Sequence, residues 1–350
     1  MDIEVIAVSK QKGMQEFNTF PRAVYRDSFM APSFPMFGQS QFSPLFGRIE
    51  AQPFLAVRNG HPVGRVAASV HSAYHGGKTG FFGYFESLND PAIAAALINA
   101  AVRWLSANGI SRMIGPVDLT PHERLGLLAE GFSGHHHPGT PHNPPYYANL
   151  LAQCGLETEI NLYAYHYDLH RPFPERLKRV ANRAGRIKQL RIREINFNNL
   201  AGEGEMFSQI HNSSMNEGWG FVPLSPEEGS AIWQRLKGFS DPGLILIAEI
   251  CGNPAGLCLA LYPTKKLFFL HLTGQLTARL AVLAVPPRYR FKGLEAALIL
   301  ECLKQARRKG ISSMELSLIA ENNPMMNRII QNMGGIKRNR LYRIYRSDAN

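Results

Sequence analysis

The run Val285–Leu298, VPPRYRFKGLEAAL, places cations and a glycine where an apolar segment gives way to a helix-forming one. Arg290-Phe291-Lys292-Gly293-Leu294 in that setting suits a polyanion. Backbone N–H groups at a helix start are unpaired, and the macrodipole adds partial positive charge there. Gly293 lets the backbone come close to a phosphate, and Arg290 and Lys292 place full charges beside it. Glu295 cuts against this, since its carboxylate either crowds the anion or faces solvent as an ordinary first-turn acid.

Other polar clusters carry less. His135-His136-His137 points its rings in different directions, and no ligand spacing follows, so it reads as a solvated loop and no metal is expected. His122 and Glu123 have no evident partner in the sequence. Cys154, Cys251, Cys258 and Cys302 lack metal spacing and read as reduced core thiols.

The elements that must position the loop emerge from an internal repeat. Ala56–Ala67 (AVRNGHPVGRVA) matches Ala248–Leu259 (AEICGNPAGLCL), with Gly60, Pro62 and Gly64 answering Gly252, Pro254 and Gly256. Each reads as a strand, a tight turn and a second strand. Ala96–Met113 matches Ala297–Met314 without a gap through a shared GIS. Their apolar stripes are Ile93, Leu97, Ala100, Ala101 and Trp104, then Leu294, Leu298, Cys302, Leu303 and Ala306, which predicts helices over about 91–108 and 293–309. Asn143-Pro144, Gly155 and Leu162-Tyr163 answer Asn323-Pro324, Gly334 and Leu341-Tyr342. Each half therefore predicts hairpin, strand, helix, strand, helix, strand, a mixed sheet around a βαβ crossover. Between them Pro172–Arg191 reads as a basic helix leading into a strand over Leu190–Ile195.

At 350 residues the chain has room for two domains. Forty-five per cent hydrophobic and 19% charged residues permit large cores and exclude global disorder. No apolar run is long enough to span a bilayer; Asn99 and Arg103 interrupt the closest, Ala92–Leu105. The N-terminus lacks a charged region followed by an apolar one, so a cytoplasmic protein is expected. A net charge of +11 suits nucleic acid, anionic lipid or a polyanionic cofactor.

Val285–Leu298 resembles motif A of the GNAT acyl-CoA N-acyltransferases, V-x-P-x-Y-R-x-x-G-x-G/A-x-x-L, departing from it at Glu295. Gly80–Glu86 (GFFGYFE), Asn143–Tyr147 (NPPYY) and Trp219–Pro223 (WGFVP) resemble turns and strands of bacterial tandem GNAT-like proteins. The resemblance covers nearly the whole chain and implies an α/β (α+β) fold: two tandem GNAT-like domains, each a mixed twisted sheet with flanking helices. The boundaries expected are 1–170 for a degenerate domain, 171–196 for the linker helix and first strand, and 197–350 for the domain with the CoA loop. It implies an acetyl-CoA or longer acyl-CoA co-substrate, or an acyl-carrier thioester. Leu283, Val285, Arg290, Phe291, Lys292, Gly293, Leu294 and Asn323 would hold the donor. The first half has Asp90-Pro91 at the matching helix start, so Asp90 fills that anion site itself. Asn216, Glu217 and Trp219 fall where the superfamily builds its acceptor site.

For catalysis the resemblance implies a group that deprotonates the amine, for which Glu321 is the candidate, and often a Tyr that protonates the leaving thiolate. That Tyr position, seven residues after Asn323, holds Ile330. Tyr342 and Tyr345 on the last strand are the substitutes; as plain residues they also read as sheet tyrosines. The function expected is acyl transfer to an amine of unknown identity, a lipid amine included. Two other readings stay open: a non-catalytic GNAT-like binding protein, and a nucleic-acid binder. Nucleic acid is not an expected specific partner, because aromatics and cations are not interleaved on a platform. No transmembrane segment is expected, and peripheral membrane contact stays open.

Overall fold

A computed structural model describes residues 2–25, 47–133, 137, 139–238, 240–262, 277–333 and 336–348. His135, His136 and Gly334 lie outside these. The chain divides into two compact units, Met1–Leu162 with Arg340–Asn350, and Tyr163–Asn339.

The first unit runs β1 (Glu4–Ala7), α1 (Gln11–Thr19), α2 (Pro21–Val24), β2 (Ile49–Arg58), β3 (His61–His71), β4 (Thr79–Ser87), α3 (Pro91–Ala107), β5 (Arg112–Gly115), β6 (Leu127–Glu130), α4 (Tyr147–Gln153) and the start of β7 (Glu157–Asp168). The second continues through the end of β7 with α5 (Glu175–Ala184), β8 (Leu190–Glu194), α6 (Leu200–Met215), α7 (Pro226–Leu236), β9 (Ile245–Ile250), β10 (Asn253–Leu261), β11 (Thr277–Ala284), α8 (Leu294–Arg308), β12 (Ser313–Ala320) and α9 (Pro324–Met333). The last strand, β13 (Lys337–Asp348), carries the chain back into the first unit.

The repeated hairpins share one turn. Asn59-Gly60 and Cys251-Gly252 both have positive φ at the two central residues, the type I′ geometry that matches strand twist. Cys251 is exposed on that turn, unlike the expected core thiol; Cys258 and Cys302 are buried. Each half then has a parallel crossover, β4–α3–β5 and β11–α8–β12. Asp90 starts α3 by accepting from the Ala92 N–H at 2.9 Å, with Pro91 at the first helical position. Ile93, Leu97, Ala100 and Ala101 of α3 are buried, as are Leu294, Leu298, Cys302, Leu303 and Ala306 of α8.

In the second unit α8 and α5 share a core with Leu246, Ala248, Cys258 and Ala260. The alternate residues Ile245, Ile247 and Leu257 are also buried, on the opposite face, where α6 crosses β10 and β11. Helices thus cover both faces of the β12-β11-β10-β9-β8 order, with β7 beside β12.

The expected boundaries at 170 and 197 placed the whole C-terminal strand in the second half. Instead β13 pairs antiparallel with β5 (Tyr345 opposite Gly115) and with β6 (Tyr342 opposite Leu128). The second unit uses the end of β7 in its place. Local periodicity is blind to this, because β7 and β13 are copies with the same alternation.

Gly293 has φ +87, and a Cβ there would stand 2.2 Å from the Val180 carbonyl oxygen of α5. The close approach that demands glycine is therefore helix on helix start. Gly293→Ala should lower unfolding free energy by about 3 kcal/mol, from left-handed strain plus overpacking. Gly310 has φ +76 but open space around it. Gly310→Ala should cost only about 1 kcal/mol. Urea unfolding of both variants checks the difference, and equal losses would remove the packing argument.

Candidate functional site

Two features coincide at the C-terminal end of β11. The β11–β12 ladder runs from Thr277↔Ser313 to Leu280↔Leu316 and stops, although both strands continue to Ala284 and Ala320. On the other edge the register slips between Leu259↔Val282 and Ala260↔Leu280, leaving Ala281 as an extra residue. The bulge and the parted ladder open a slot between two parallel strands directly ahead of α8. Polar groups brace the point of divergence. Arg279 Nε donates to Ser317 Oγ at 3.0 Å, and that hydroxyl donates to buried Glu315 at 3.0 Å.

The loop at the mouth of this slot is anchored by Arg290. Its guanidinium donates to the Val285 carbonyl at 3.0 Å and to the Ser214 carbonyl near the end of α6 at 2.7 Å. Arg290 is thus half-buried and committed to backbone, which leaves Lys292 as the exposed cation of the turn. Phe291 is 88% exposed. Val285 and Leu294 are core residues and Leu283 is half-buried, so these three offer a ligand backbone rather than side chains. Glu295 is half-buried; burial pushes its carboxyl above the ordinary range, while its own N–H, Arg290 and the Phe291 N–H pull the other way. The carboxylate therefore lies close to the backbone N–H groups at the start of α8.

The other expected site residues fall in three places. Glu321 is exposed just beyond β12, with the Tyr163 hydroxyl 3.4 Å from its Oε2. Asn323 caps α9, accepting from the Met326 N–H at 3.0 Å, and Ile330 is buried in the core. Tyr342 and Tyr345 are buried in the first unit, so neither belongs to the unit that holds the loop. The tyrosine beside Glu321 is Tyr163, the repeat counterpart of Tyr342. Asn216 and Glu217 are exposed at the end of α6, and Trp219 is half-buried with its Nε1 unpaired. The turn they occupy is pinned by Asn212, whose side chain bonds both the N–H and the carbonyl of Leu224 at 2.8 Å. The same amide oxygen meets His211 Nδ1 at 3.1 Å, which puts the ring proton on Nδ1. Burial lowers the His211 pKa and keeps the imidazole neutral.

The first unit has the same slot, and its own chain closes it. The β4–β5 ladder stops at Phe81↔Ile114, and β4 bulges opposite β3. There the Val117 N–H donates to the Phe82 carbonyl at 2.8 Å, and the Asp118 carboxylate accepts from the Tyr84 N–H at 2.6 Å. Glu86 fills the rest. It accepts from Tyr25 at 3.0 Å and Tyr147 at 2.8 Å, with Arg65 and Arg124 within 4 Å. Among the described residues, a space of about 20 Å³, one water's worth, lies beside it. At the helix start, Arg58 meets Asp90 at 2.6 Å. The GFFGYFE strand and NPPYY turn thus meet in one polar core that composition and periodicity could not show; Glu86 inside an otherwise apolar strand was the signal available. Tyr147→Phe strands the Ser87 N–H and removes one of the two hydroxyls that donate to Glu86 Oε2. It should destabilise by about 2 kcal/mol, whereas Tyr163→Phe should change stability little; thermal unfolding of both variants checks this.

Comparison with known proteins agrees with this geometry. Residues 205–334 match the model of the acetyltransferase (GNAT) family. The chain is 32% identical to protein YghO of Escherichia coli, over 94% of this chain and 92% of that one. It is 28% identical to the bacterial ceramide synthase of Caulobacter vibrioides, over 87% of this chain and 85% of that one. A tandem GNAT protein from the clavulanic acid biosynthesis pathway superposes with TM-score 0.60 at 13% identity, covering 100% of this chain and 99% of that one. A GCN5-related N-acetyltransferase from Sphaerobacter thermophilus gives 0.57 at 13% identity, over 99% and 96%. With two copies of the parted-strand crossover and a YghO relative matched almost end to end, the chain belongs to the GNAT acetyltransferase family as a tandem member.

Proposed function

We propose that the second unit binds one acyl-CoA and transfers the acyl group to the amine of a long-chain, sphingoid-type base. The observation that carries the donor half is the parted β11–β12 ladder opening onto the start of α8. The likeness to a ceramide synthase supports the acceptor half, since a ceramide is a sphingoid base acylated on nitrogen. The pantetheine amides are matched to the unpaired edges of β11 and β12, and the pyrophosphate to the N–H groups from Phe291 to Glu295, with Lys292 beside it. The first unit, closed by its own side chains, is scaffold rather than a second donor site.

In the reaction the amine nitrogen attacks the thioester carbonyl, the C–N bond forms, the C–S bond breaks, and one proton passes from nitrogen towards sulfur. Glu321 is assigned to the amine proton. A thiolate leaves readily without a proton, which makes the absence of a Tyr at position 330 tolerable. Asn216, Glu217 and Trp219 are assigned to the acceptor.

Calorimetry with CoA should give one site per chain. Incubation with sphinganine and a series of acyl-CoAs should release free thiol and form amide; CoA binding without turnover on any amine would favour a non-catalytic binding protein. Glu321→Gln should lower kcat by roughly 10²-fold near neutral pH and recover in part at higher pH, where more amine is already neutral. An unchanged pH–rate profile would remove Glu321 from the role.

Glu295 allows a sharper test. Below its raised pKa the carboxyl is neutral and does not repel the pyrophosphate; as pH rises through it, the ionised form does. Wild-type CoA affinity should therefore fall with rising pH across that range. Glu295→Ala should bind CoA about tenfold tighter above it, the equivalent of about 1.4 kcal/mol, and lack that fall. Equal affinities at all pH values would place the donor elsewhere.

A further inference from the structure

The surface around the donor loop combines charge and apolar exposure in a way acyl transfer itself does not require. Helix α5 buries Leu177, Ala181 and Ala184 and presents Arg176, Arg179 and Arg183 to solvent, spaced three and four residues apart along one face. Arg186 and Lys188 extend the run past the helix end, both exposed. These five cations have no acidic partner among the described residues. Among the described residues, the one ion pair on the helix is Lys178 with Glu175 at 2.7 Å.

This stripe is continuous with the loop. The Val180 carbonyl and the Arg183 Cβ lie against Gly293, within 3.2 Å of where a Cβ would stand. From that contact the chain leads directly to exposed Lys292 and to Phe291, whose ring is 88% exposed and held outward by a backbone at φ +63. Exposed Arg288, stacked over Tyr289 at 4.6 Å, stands on the other side. A large aromatic in water, with Arg288 and Lys292 beside it in the chain and the cations of α5 leading up to the same turn, is the pattern of a surface that meets an anionic lipid interface. The ring enters the headgroup boundary and the cations meet lipid phosphates. The carboxylates nearby are Glu175, already paired, half-buried Glu295, and Glu194 and Glu301 across a groove from Ala181 and Asn182, the last of them within 4 Å of Lys304 and Arg308.

We infer that the α5 stripe with Phe291 docks the second unit on an anionic membrane surface. The docking stands on this surface alone and does not require the acyl-transfer reading. If both hold, the mouth of the slot faces the bilayer, where long-chain acyl-CoAs and long-chain amines partition.

The test is flotation of the full chain with vesicles of phosphatidylcholine alone, or mixed with phosphatidylglycerol, without CoA. Binding is expected only to the anionic vesicles and should weaken steeply with added salt. Each basic residue near such a surface contributes roughly fivefold, so Arg176→Gln with Arg179→Gln should bind about thirtyfold more weakly. Phe291→Ser should weaken binding while leaving the salt dependence. Melting curves of the variants establish that both are folded. No binding to anionic vesicles, or a double variant that binds like wild type, overturns the docking. So does a wild-type protein that ignores vesicles but captures an acidic holo-acyl-carrier protein through the same arginines. Calorimetry with CoA on the same preparations separates the two readings: vesicle binding without CoA binding sinks the functional proposal and leaves the docking intact.

Discussion

Two neighbouring parallel strands that stop pairing before they end create a debt of unsatisfied backbone groups, and both halves of this chain are organised around it. A buried N–H or carbonyl without a partner costs 1–3 kcal/mol, so a parted ladder persists only if something fills it. In the first half the filler is internal: the Asp118 carboxylate, the Val117 N–H, and the Glu86 cluster with its two tyrosines and two arginines. In the second half the bulge at Ala281 and the stop at Leu280↔Leu316 recur. There the slot leads to a helix start with a left-handed glycine. One architecture thus supports a version sealed by its own chain, and the seal is a handful of groups drawn from β3, β4, the loop after β5, α4 and Tyr25.

The helix starts tell the same story. Asp90 places a carboxylate on the first N–H groups of α3 and is held by Arg58. At α8 the corresponding residue is Gly293, and the nearest carboxylate in the chain, Glu295, sits two residues later and is pushed towards neutrality by burial. The start of α8 therefore lacks the side-chain cap that Asp90 gives the start of α3.

Much of this was legible in the sequence because it is local. The hairpin turns, the α3 and α8 stripes and the Arg290–Leu294 turn follow from spacing and residue type. What was not legible depends on distance. Gly293 was read as making room for phosphate, yet the atom it makes room for belongs to α5, over a hundred residues earlier. Arg290 was read as a phosphate ligand, yet its guanidinium is committed to two carbonyls. Tyr342 and Tyr345 were assigned to the wrong unit because β7 and β13 carry interchangeable patterns. The GFFGYFE and NPPYY segments were visible as motifs, but nothing in either showed that the other completes it.

The placement of β13 has a consequence for how the chain is made. The first unit is not finished when its own repeat has been synthesised: β5 and β6 lack their partner until residues 340–348 arrive. A growing chain therefore exposes an open sheet edge throughout translation of the whole second unit, and unpaired edges are where chains associate wrongly. Strand β13 acts as a zip closed only after the second unit has been made. A chain that breaks off before β13 damages its first unit, leaving the slot-bearing unit comparatively whole. Evolution by duplication usually yields modules that can be separated; here the two copies have become hostages to one another's ends.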